Sequence, residues 1–104
     1  MQISTKNWTA QIDRMPGAAS FRTFGTVTVA NSGVTPILVR SDKQDKSFDL
    51  RLDLKLQDSD GVSLQVLTDK FVEYKELGDS HVSSVSIYFE DQLLHTINEV
   101  KITH

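Results

Sequence analysis

His81, His95 and His104 are the three imidazoles of the chain, the groups best suited to proton transfer or metal ligation near neutral pH. Asp79-Ser80-His81 sets the three residue types of a hydrolytic triad side by side. Neighbours in an extended chain point to opposite faces, so they cannot relay a proton along the backbone, and a working triad is assembled from separated segments. No Gly-x-Ser-x-Gly turn presents a nucleophile. The stretch therefore reads as a polar loop leading into a strand, and no residue is assigned a catalytic role.

Metal ligation fares no better. If the segments holding His81 and His95 form a hairpin turning at Glu90-Asp91-Gln92, facing residues have numbers that sum to about 182. His95 then lies beside Ile87, and His81 beside Lys101. The two imidazoles stand roughly 20 Å apart along the ladder, too far to share an ion. Asp58-Ser59-Asp60-Gly61 has the composition of a calcium loop. Aligning Gly61 with that loop's glycine puts Leu56 and Leu67 at positions that require acids. It reads as a plain turn. No metal site and no cofactor is assigned.

Asp49, Arg51, Asp53 and Lys55 form a row of alternating sign on one face of a strand. Such a row screens itself and suits the wet face of a sheet better than acid–base work. Asn7-Trp8-Thr9 fits a glycosylation acceptor, a pattern with meaning only in a secreted chain. Met15-Pro16-Gly17-Ala18-Ala19 is a small apolar loop able to seat against a partner. Trp8, Met15, Phe24 and Tyr88 are the interaction candidates, chosen as aromatic or Met positions. A competing hypothesis places a small ligand among Tyr74, Tyr88, His95 or Glu90 at the mouth of a barrel.

The elements that must position these side chains are strands. Residues 48–57 alternate apolar Phe48, Leu50, Leu52, Leu54 and Leu56 with polar partners, the period of a half-buried strand. Further strands are expected over 8–13, 21–30, 34–40, 82–89 and 93–102, with Val62 opening another. Gly25 inside the second marks a bulge or a close backbone approach. Pro36 places its strand end at an edge or before pairing begins. Asp58 to Gly61 suggests a hairpin between 48–57 and the strand that follows. Over 69–77, a two-residue period favours extended chain over a short helix. Turn signals about every ten residues suggest one all-β domain over 1–104, an antiparallel β-sandwich immunoglobulin-like in architecture. A small antiparallel barrel is the alternative.

Composition narrows the function classes. Eleven Lys and Arg against fourteen Asp and Glu give a formal charge of −3, with no basic field to draw a nucleic acid. No apolar run reaches the ~18 residues of a membrane span, and no leader is expected at the N-terminus. The chain has no cysteine, which fits a reducing cytoplasm. Trp8-Thr9-Ala10, Met15-Pro16, Gly25-Thr26-Val27, Gln65-Val66-Leu67-Thr68, Val72-Glu73-Tyr74 and Ser84-Val85-Ser86-Ile87 together resemble a group of small uncharacterised bacterial all-β proteins. That group has no assigned activity, so the resemblance implies a fold and no functional residue. The expectation is a non-catalytic binding or protein-interaction module, pairing with a partner or a second copy through an edge strand.

Overall fold

The computed structural model describes residues 3–44, 48–58, 66–78 and 80–103. Eight strands follow in chain order: β1 (Ser4–Asp13), β2 (Ser20–Val29), β3 (Val34–Arg40), β4 (Asp49–Asp58), β5 (Thr68–Leu77), β6 (Ser84–Phe89), β7 (Gln92–Ile97) and β8 (Val100–Thr103). They form two four-stranded sheets, ordered β5-β2-β1-β8 and β3-β4-β6-β7. Alternation decides what lies between them. Ala10, Ile12, Phe21, Val27 and Val29 from the first sheet and Leu38, Leu50, Leu52, Leu54, Val85 and Ile87 from the second belong to one buried core. No described residue is helical, and residues 69–77 are extended as the two-residue period required.

Four expectations are corrected. Pairing is not antiparallel throughout: β4 runs parallel to β6, and β1 parallel to β8. After β4 the chain crosses to β5 in the opposite sheet and comes back as β6, so β6 takes the direction of β4. Secondly, β4 makes no hairpin with β5, whose ladder is to β2. The strand expected to open at Val62, and the turn 59–61, lie outside the described residues. Thirdly, the C-terminal strand divides. β7 pairs with β6, and after Asn98-Glu99 the chain changes sheets so that Lys101 meets Gln11 rather than His81. Lastly, Phe48 precedes β4 and is 67% exposed, because the sheet's inner face begins at Leu50.

Other local readings hold. Ile87 faces His95 and Val85 faces Ile97, as hairpin arithmetic requires, before a bulge shifts Tyr88 to Leu93. The turn between them places Glu90 and Asp91 at φ 51° and 62°, the sign pattern of a type I′ hairpin without its usual Asn-Gly. Gly25 is a close approach. Asn7, at φ 60°, opens a bulge in β1 that lays the Trp8 ring on Gly25, where a Cβ would sit 2.7 Å from Trp8 Cδ2. Trp8 Nε1 donates to Thr5 Oγ1 at 2.9 Å, which satisfies its one polar atom.

The sheets are tied at one flank, where β5 lies against β3. Arg40 Nη1, at the end of β3, reaches Glu76 Oε1 on β5 at 3.0 Å. The Tyr74 hydroxyl donates to the same carboxylate oxygen. Burial, and then the adjoining Glu76 carboxylate, push the Tyr74 phenol up to about 12.

Candidate binding site at the open end of the sandwich

Unequal strand lengths create a concavity at one end of the sandwich. β4 has ten residues, but β6 pairs only with its first half, Asp49 to Asp53. The chain then turns back at Glu90-Asp91, and among the described residues Leu54 to Asp58 are paired on the β3 side alone. The other sheet repeats the shortfall: β8 covers Ala10 to Asp13 of β1, and among the described residues Ser4 to Thr9 have no neighbour on that side.

The uncovered half of β4, Ser4 at the start of β1 and the end of β2 border one cleft of about 940 Å³. Its walls are apolar where the sheets face inward, with Ile3, Val29, Val34, Leu54, Leu56 and Phe89. Its rim carries Asp53, Asp58, Glu90 and Asp91 against Lys55. Asp91 already receives Lys43 Nζ at 3.1 Å and Arg51 Nη2 at 3.7 Å. Apolar walls with a few charged groups at the mouth suit binding.

The four interaction candidates do not come together. Trp8 packs half-buried against the core. Met15 is 53% exposed in a turn where Ala18 N–H donates to Met15 O at 3.0 Å and Gly17 takes φ 80°, at the far end of β2 from the cleft. Phe24 lies on the outer face of the first sheet, its ring 5.8 Å from Phe71 and 5.4 Å from the Arg22 guanidinium. Tyr88 lies on the outer face of the second sheet under Arg51, whose Cζ stands 3.6 Å from the ring centroid. Tyr88 is nearest the cleft, since it pairs with Asp53 and precedes Phe89.

The competing set is also dispersed. Tyr74 sits on β5 at the flank beside β3, and His95 on β7 at the opposite edge of the second sheet. Glu90 alone of that set lines the cleft. Asp49, in the charged row, accepts hydroxyl hydrogen bonds from Ser84 at 2.7 Å and Ser86 at 2.9 Å, which ties β4 to β6. Among the described residues, no three His, Asp or Glu side chains are grouped to hold a metal ion. His104, Asp79 and 59–61 lie outside the described residues.

Sequence reasoning missed Ile3, Leu54, Leu56 and Phe89 as site residues because alternation marks them only as core. The available signal was length. A ten-residue alternating run exceeds what the shorter strand beside it can cover. Comparison of the chain with protein families, with curated proteins and with solved structures gave no match.

Proposed function

We propose that this protein is a non-catalytic interaction module that receives part of a partner polypeptide in the cleft between β1 and β4. One observation carries the reading: an apolar cleft lies along Leu54–Asp58 of β4, which among the described residues have no neighbouring strand on the β6 side. Two facing sheets, immunoglobulin-like in general architecture though not in their two parallel ladders, suit a scaffold that presents an end surface. A cytoplasmic setting in a bacterial cell belongs to the same proposal, supported by the cysteine-free composition and by the sequence resemblance. No described residue forms a helix long and apolar enough to cross a membrane.

The test is an amide-resolved NMR titration of the ¹⁵N-labelled protein. One arm adds a random octapeptide library, and the other an equimolar pool of nucleotides, sugars and amino acids. Shifts clustered on Leu54–Asp58 and Phe89–Asp91 with the library support the module. Shifts at Tyr74, His95 or Glu90 with the metabolite pool, or chemical change in that pool, would refute it in favour of a small-ligand site or an enzyme.

A further inference from the structure

The backbone of β4 shows what kind of occupant the cleft takes. Leu56 faces Pro36 in the antiparallel β3–β4 ladder. Facing residues in such a ladder alternate between pairs that exchange both hydrogen bonds and pairs that exchange none. Proline has no N–H, so Pro36 and Leu56 form a pair of the second kind, and every even-numbered residue of β4 shares that class. Hydrogen bonds at both ends of the ladder agree. Val34, opposite Asp58, gives its N–H to Asn31 O at 3.3 Å instead of to β4. Odd-numbered Arg51 turns its groups toward the β3 side: its carbonyl accepts from Ser41 N–H at 3.0 Å, and its N–H donates to Gln44 Oε1 at 3.1 Å.

The N–H and C=O of Leu56 therefore point away from β3, into the lane that β6 occupies farther down and leaves at its turn. No partner meets them there among the described residues. Side chains beside the lane sort by parity, with Leu54 and Leu56 inward and Asp53 and Lys55 outward. Charge is unbalanced as well. Asp53, Asp58 and Glu90 have no ion-pair partner among the described residues; Lys55 lines the cleft with them, while Lys43 and Arg51 are held by Asp91, which leaves the rim acidic by a small margin.

We infer that the lane takes an extended segment of a partner protein as an added strand hydrogen-bonded to Leu56, about five residues long at ~3.3 Å each. Its inward side chains are apolar and meet Leu54 and Phe89. Its outward side chains are basic and meet Asp53 and Glu90 at the rim. This rests on the interaction-module reading and specifies its ligand.

Fluorescein-labelled (Val-Lys)₄ tests it by anisotropy and by amide NMR. Two further peptides carry N-methyl groups on all Val or on all Lys, and (Val-Glu)₄ reverses the charge. Alternate residues of a strand turn their amides to opposite sides, so methylating one set should weaken binding at least tenfold and the other set should leave it nearly unchanged. (Val-Glu)₄ should bind at least tenfold more weakly than (Val-Lys)₄. The Asp53→Asn/Glu90→Gln variant should lose several-fold affinity for (Val-Lys)₄ while its free spectrum stays dispersed. Equal binding of both methylated peptides overturns strand addition, and equal binding of (Val-Glu)₄ overturns the basic ligand. If the random library shifts the cleft residues and (Val-Lys)₄ does not, this inference fails and the interaction module stands. If neither shifts them, the module itself fails.

Discussion

Adding one methyl group at position 25 probes the contact that fixes Trp8. In Gly25→Ala the new Cβ would lie 2.7 Å from Trp8 Cδ2 and 2.9 Å from Cζ3. Carbon atoms prefer about 3.5–4.0 Å, so the ring must retreat by roughly 1 Å. β2 cannot yield, because it is bonded to β1 on one side and β5 on the other. Overpacking of this kind costs about 1–3 kcal/mol, against which alanine regains roughly 0.5–1 kcal/mol of glycine's unfolded-state entropy. The net expectation is a loss of about 1–2 kcal/mol. Trp8→Ala removes a half-buried ring and should cost roughly 2–3 kcal/mol, below the range for a fully buried one. In that background Gly25→Ala meets no obstacle and should stabilise by about 0.5 kcal/mol. The sign reversal amounts to a coupling of roughly 2 kcal/mol, within reach of a double-mutant cycle. Urea unfolding followed by far-ultraviolet circular dichroism measures all four proteins, and Trp8, the single tryptophan, reports its own displacement by fluorescence. An equal penalty for Gly25→Ala with and without the indole would refute the reasoning, since the cost would then lie in the backbone.

Four other outcomes are expected. The Tyr74 phenol is raised from 10.0 to about 12 in the fold, so the unfolded chain gives up its proton first and stability should fall as pH rises from 10 to 12. Urea midpoints should show a smaller fall for Tyr74→Phe, and a like fall in both proteins would contradict the shift. Thr23 is buried, and its hydroxyl has no partner among the described residues, so Thr23→Val should stabilise by about 1 kcal/mol in the same urea assay. Glu90→Asn places a residue tolerant of positive φ in the β6–β7 turn and should raise stability by roughly 0.5–1 kcal/mol, read from the melting temperature. Hydrogen exchange should find Lys55 N–H protected by β3 and Leu56 N–H exchanging much faster; comparable protection would close the proposed lane.

Much of the fold is legible along the chain. Residues 34–40 form a strand with the expected bounds, and the parity of Leu50, Leu52 and Leu54 correctly names the inner face of β4. Gly25 marked a close approach and Pro36 an edge strand, because each lacks an atom that a packed ladder interior would otherwise have to accommodate. The candidate site was far less legible. Trp8, Met15, Phe24 and Tyr88 are conspicuous as residue types, yet they fall on separate surfaces. The cleft is built from leucines and a phenylalanine that alternation cannot tell from ordinary core.

Local chemistry explains the division. By itself the sequence determined the strands, their dry and wet faces and most turns, because side-chain period and φ preference act within a few residues. Only the tertiary structure decided which strands became neighbours, that β4 and β6 run parallel, and that the C-terminal segment splits between two sheets. A two-residue period serves parallel and antiparallel ladders equally, so pairing direction depends on where the intervening chain travels. The lane open beside Leu56 among the described residues has the same origin: a ten-residue strand lies beside a six-residue one, a relation between segments far apart in the chain.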